Sequence, residues 1–107
     1  MIRVEEYITE EGRSPFAEWF EDLDAQAANK VNTYLTRIGQ GNHSNLKPIK
    51  GALQEVIIHW GPGYRVYVGK DGDKLIILLG GGTKSRQQKD IDRAANLWEE
   101  YKQRKRG

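Results

Sequence analysis

The sequence predicts a single α+β domain of order β-α-α-β-β-β-α, a small twisted, mainly antiparallel sheet packed by a helical hairpin and a C-terminal helix. Three observations point there. Two amphipathic stretches at helical spacing lie between residues 14 and 38. Three short apolar runs follow, parted by the turn formers Gly61-Pro62-Gly63 and Asp71-Gly72. The length, 107 residues, suffices for one core and not for two, so the domain is expected to span 1–107.

Residues 2–8 alternate loosely between apolar and polar, and Gly12-Arg13 breaks that first strand. Ser14-Pro15 opens a helix, with Ser as N-cap and Pro in the first turn. Phe16, Trp19, Phe20 and Leu23 form its apolar stripe. Asp24 caps a second helix that buries Ala28, Val31, Leu35 and Ile38 and ends at Gly39 to Gly41. Residues 42–52 read as a polar loop. Strands then run from Leu53 to Trp60, Tyr64 to Gly69 and Lys74 to Gly80. Gly80-Gly81-Gly82-Thr83-Lys84 reads as a flexible exit. Ser85 with Gln88 forms a capping box for a last helix whose apolar face is Ile91, Ala94, Ala95, Trp98 and Tyr101. A basic tail, Lys102 to Arg106, closes the sequence.

Composition narrows the function. With no cysteine there is no disulfide framework and no thiolate metal site. The longest apolar run, Leu75 to Leu79, is too short to span a bilayer, and the N-terminus lacks a signal-peptide pattern, so a cytoplasmic protein is expected. The net charge of +2 hides an asymmetry. Residues 1–30 hold eight acidic and three basic side chains; residues 31–107 hold fourteen basic and seven acidic. The basic part suits a polyanion or an acidic partner, or is simply a solvated surface.

If Gly61-Pro62-Gly63 is a three-residue hairpin loop, Trp60 faces Tyr64, His59 faces Arg65 and Ile57 faces Tyr67. Val56, Ile58, Val66 and Val68 then turn towards the helices, while Glu55, His59, Arg65 and Tyr67 share the other, exposed face. Lys47, Lys50, Lys84, Arg86 and Lys89 are expected to converge around Arg65. Cations beside a polar face bind a phosphate backbone and stabilise the pentavalent transition state of strand cleavage. The 2′-hydroxyl of RNA can attack its own phosphate, so this chemistry needs no metal or other cofactor, only orientation, a proton acceptor and positive charge. Glu55 and His59 are the candidate acceptors.

Duller readings stand beside these. Arg65 can pair with Glu55 on a sheet face, and His59, His43, Tyr64 and Tyr67 can be ordinary surface or strand residues. Trp19, Trp60 and Trp98 read as core anchors. The triple glycine is not a P-loop, because Thr83 separates Gly82 from Lys84. No metal-ligand spacing and no serine nucleophile motif is present.

Gly61-Pro62-Gly63-Tyr64-Arg65-Val66-Tyr67, followed by Leu78-Leu79-Gly80-Gly81-Gly82-Thr83-Lys84-Ser85 and Gln88-Lys89-Asp90-Ile91, resembles the RelE/ParE toxin superfamily, most closely its HigB-like branch of addiction-module killer proteins. The resemblance covers nearly the whole chain. It implies a RelE-like fold and a type II toxin that cleaves messenger RNA, often on the translating ribosome. It also implies a cognate antitoxin, commonly a HigA-like helix-turn-helix protein, through which alone operator DNA is bound. Arg65 matches the family's strand arginine at the scissile phosphate, and Lys84 a basic position after the last strand. Lys47, Lys50, Arg86 and Lys89 fall where relatives carry RNA-binding cations, and Tyr67 is the one aromatic residue on the sheet placed to stack on RNA. Some relatives end in an acid–base tyrosine or histidine; here the chain ends in a helix. A ParE-like gyrase inhibitor and a non-catalytic RNA- or protein-binding module are the alternatives. Against the latter, the sheet lacks paired aromatic stacking positions.

Overall fold

A computed structural model describes residues 1–107. The elements are β1 (Arg3–Glu6), α1 (Pro15–Glu21), α2 (Ala25–Gly39), β2 (Leu46–Lys50), β3 (Leu53–Ile58), β4 (Tyr64–Lys70), β5 (Leu75–Thr83), a 3-10 turn (Lys84–Arg86) and α3 (Gln87–Arg106). The order is thus β-α-α-β-β-β-β-α, one strand more than expected. The additional strand is β2, inside the stretch read as a loop. Leu46 and Ile49 are half-buried there between exposed lysines, and a bulge at Pro48–Lys50 interrupts an otherwise antiparallel pairing with β3. That composition hides a short edge strand.

The sheet runs β1-β5-β4-β3-β2. β1 is parallel to β5, and the other pairs are antiparallel. Both predicted N-caps form: Ala17 N donates to Ser14 Oγ at 3.0 Å and Ala27 N to Asp24 Oδ1 at 2.9 Å. The predicted capping box does not. Ser85 Oγ bonds Thr83 Oγ1 at 3.0 Å, and α3 starts at Gln87 with no side-chain cap.

Alternation along the strands builds two cores. Val56, Ile58, Val66 and Val68 meet Phe16, Val31 and Ile38 of the hairpin, as expected. Leu53, Tyr67, Ile77 and Leu79 meet Ala94 and Trp98 of α3 on the opposite face. That second face is therefore covered, not exposed. α3 buries only two of its twenty residues fully, and polar ties supplement this packing. Tyr7 Oη donates to Glu100 Oε1 at 2.5 Å, Tyr101 Oη to Asp71 Oδ2 at 2.5 Å, and Arg104 Nη1 to the Ile8 carbonyl at 2.6 Å. Trp98 lies so close on Gly69 that a methyl group there would overlap its ring.

The glycine run belongs to β5 and is no flexible exit. Trp19 packs onto Gly81 and Asp90 onto Gly82, and a Cβ at either position would collide with them. No helix is long and apolar enough to cross a membrane.

Candidate functional site

The β3–β4 register sets the site. Ile58 pairs with Tyr64, Ile57 with Arg65 and Glu55 with Tyr67. The loop is two residues longer on the β3 side than a three-residue hairpin would be. It is shaped by Gly61 (φ 59°) and Gly63 (φ 79°) and closed by Gly63 N donating to the Trp60 carbonyl at 3.2 Å. A slip of two preserves the faces, so Glu55, Arg65 and Tyr67 still share one. His59, however, falls beyond the end of β3 and is exposed on the turn. The expected His59–Arg65 pair is replaced by Ile57–Arg65.

Glu55 is the one buried charged residue of the protein, 6% exposed. Arg65 Nε stands 3.3 Å from its Oε1, a charge contact without an aligned hydrogen bond. Gln87 Nε2 donates to the same oxygen at 3.1 Å. Glu55 Oε2 takes no hydrogen bond. The far end of Arg65 is fixed as well, because Nη1 donates to the Gly63 carbonyl at 2.9 Å. That oxygen also accepts from Lys84 N at 3.0 Å. One carbonyl on the turn thereby ties the strand arginine to the segment that carries Lys84. The Gly63 position favours glycine because its φ is positive, a conformation that L side chains rarely adopt; a Cβ there would make only ordinary contact with Arg65 and Lys84.

The other predicted residues divide. Lys84, Arg86 and Lys89 are exposed around the start of α3. Lys47 is exposed on β2 directly across from Glu55 and on its face. Lys50 is not part of this group: it stands opposite Leu53 and beside Glu99, well along α3. Tyr67 cannot meet RNA on an open sheet, because α3 buries it completely. Its hydroxyl has no hydrogen-bond partner and is pushed up to about 12, by burial first and then by Asp90 and Glu55.

Two residues went without a role in the sequence reading. Gln87 holds Glu55 from above. Asp90, on Gly82, has a buried Oδ2 with no partner, and burial raises its carboxyl above the usual range despite Arg86, Arg93 and Lys89 nearby. The available signal was the glycine run, whose missing side chains imply close approach by another element.

No family model matches the chain. It is similar to an uncharacterized protein of Haemophilus influenzae (strain Rd), 38% identical over 86 residues that cover 79% of this chain and 87% of that protein. At that identity and coverage, the chain belongs to the same family as the Haemophilus influenzae protein.

Proposed function

We propose that this protein is the toxin of a type II toxin–antitoxin pair, a RelE-like, HigB-like endoribonuclease that cuts messenger RNA on the ribosome and arrests growth in the cytoplasm. The observation that supports this reading is the junction at Gly63, whose carbonyl holds Arg65 and the Lys84 segment side by side.

The chemistry follows from these side chains. Arg65 and Lys84 bind the scissile phosphate and stabilise its added charge. Glu55 holds Arg65 through Oε1 and accepts the 2′-hydroxyl proton at Oε2. The 2′-oxygen then bonds to phosphorus, and the bond from phosphorus to the 5′-oxygen breaks. The departing oxygen takes a proton from the Lys84 ammonium, leaving a 2′,3′-cyclic phosphate. Lys47, Arg86 and Lys89 hold the flanking backbone. A HigA-like helix-turn-helix antitoxin with an acidic segment covers the cations and restrains the activity.

Induced expression in a bacterial host tests this, with growth followed and message 5′ ends mapped for wild type, Arg65→Ala and Lys84→Ala. Lys84 is exposed, so its loss leaves the fold intact. Growth arrest with new 5′ ends, both lost in Arg65→Ala and reduced in Lys84→Ala, is expected. Arrest without new ends would sink the nuclease reading and favour a gyrase-type target. No arrest by the folded protein would favour a binding module.

A further inference from the structure

Beyond Gly82 from Arg65, the sheet has an open edge. Lys84 N donates to the Gly63 carbonyl across the Tyr64–Thr83 pair, which marks that pair as the non-hydrogen-bonded kind. Alternation then makes Arg65–Gly82 the bonded pair, and Gly81 and Thr83 turn their N–H and C=O groups away from β4. On that side β1 has already stopped, since its pairing ends at Leu78. Four backbone groups are thus left facing a cleft of about 220 Å³ between α1 and the start of α3.

The cleft has a built interior. One wall is Trp19, packed on Gly81; the other carries Arg86, Asp90 and Arg93. Its residues Gly81, Asp90 and Arg93 also line a smaller inner space of about 30 Å³ that reaches Tyr67. Two orphaned polar atoms belong to residues lining that inner space, the hydroxyl of the fully buried Tyr67 and Asp90 Oδ2. Gly80 borders it too. A Cβ at Gly80 would touch nothing within 4 Å, and its φ is not positive, so neither crowding nor strain calls for glycine there. What the absent side chain does is leave the inner space open.

We propose that this cleft is a subsite for one unpaired RNA base, guanine, beside the phosphate held at Arg65. The inference deepens the ribonuclease reading and rests on it for the identity of the strand. Asp90 in its ionised form only accepts, and guanine is the base that offers it two adjacent donors, N1–H and the N2 amine. Arg86 or Arg93 and the Gly81 N–H suit the O6 and N7 acceptors of the same base. Trp19 supplies the flat apolar wall that an unstacked base uses. Recognition of a splayed single-stranded base by such edges is the common mode for RNA.

The test is titration of the full-length protein with GMP, AMP, CMP and UMP, read by amide and indole chemical shifts. GMP is expected to bind about tenfold or more tightly than the others. It should shift the Gly81 and Thr83 amides and the Trp19 indole. Asp90→Asn should erase the preference. Gly80→Ala, which meets no neighbour, should weaken GMP binding while the melting temperature holds. Equal binding of all four nucleotides, shifts confined elsewhere, or a preference that survives Asp90→Asn would overturn the subsite. The two readings fail separately. A wild-type protein that cuts no message but keeps its GMP preference loses the ribonuclease reading alone. One that cuts without any guanine preference loses the subsite alone.

Discussion

Glu55 and Arg65 form the least exposed ion pair of this protein, with 8% and 11% of the respective side chains open to solvent. Every other pair leaves one partner at least 59% exposed. Removing one member of a buried pair strands the other's charge, which costs about 3–5 kcal/mol. Glu55→Ala and Arg65→Ala should each destabilise by roughly that much in urea. The double variant should lose much less than the sum of the two. Additive losses would mean that the two charges do not depend on each other.

The glycines that admit Asp90 and Trp19 make a second set of expectations. Gly81→Ala forces a methyl group into the Trp19 ring, an overpacking that costs about 1–3 kcal/mol or more, whereas Gly82→Ala displaces the Asp90 carboxylate. Gly82→Ala should also release the first turn of α3, seen as faster amide exchange at residues 87–90. Slow exchange there in a folded Gly82→Ala protein would count against the tight contact.

Two carboxylates should give opposite pH signatures. Asp71 is held below its ordinary range by Lys105 first and then by Tyr101. Its contribution is present above the unfolded pKa and is lost as pH falls through the folded one. Asp71→Asn should therefore lower the melting temperature at neutral pH and have little effect in strong acid. Asp90 is raised by burial, so its contribution is present below the unfolded pKa and lost as pH rises through the folded one. Asp90→Asn should raise the melting temperature at neutral pH, with the gain fading in acid. Thermal melts of both variants across pH decide this.

At alkaline pH, Tyr67 and Tyr101 should hold their protons long after a free phenol has lost its own. Both are pushed up to about 12, chiefly by burial, and Tyr101 further by its bond to Asp71. The stability they lend is present below the unfolded pKa near 10 and disappears as pH rises through about 12. Tyrosinate absorbance should show Tyr67 and Tyr101 titrating late, coincident with alkaline unfolding, alongside Tyr7, which burial and its bond to Glu100 also raise. Tyr67→Phe or Tyr101→Phe should remove one.

If the proposed antitoxin covers the cations, neutralisation should weaken as salt rises. A binding constant indifferent to ionic strength would move the antitoxin contact to the acidic residues 1–30.

Much of this was legible beforehand, for identifiable reasons. Ser14, Asp24 and the stripe from Phe16 to Leu23 are local signals, and local hydrogen bonds honour them. The facial assignment of Val56, Ile58, Val66 and Val68 survived a mistaken register because the error was an even number of residues. What failed depended on distant partners. β2 looks polar because only Leu46 and Ile49 turn inwards. Ser85 has the right neighbour for a capping box, but Thr83 takes its hydroxyl. The burial of Tyr67 and the role of Gln87 needed the position of α3, which no local pattern encodes.

The pairing of β1 with β5 joins Arg3 to Leu75, and Tyr7 then reaches Glu100. The two ends of the chain close the fold on each other. Contacts this far apart in sequence form late, after the loop entropy between them has been overcome. During synthesis the first strand must wait for β5, and Glu55 must wait for Gln87. A growing chain thus remains without its assembled Glu55, Arg65 and Gln87 cluster until α3 leaves the ribosome; on the proposed ribonuclease reading, its own message stays uncut while the protein is being made.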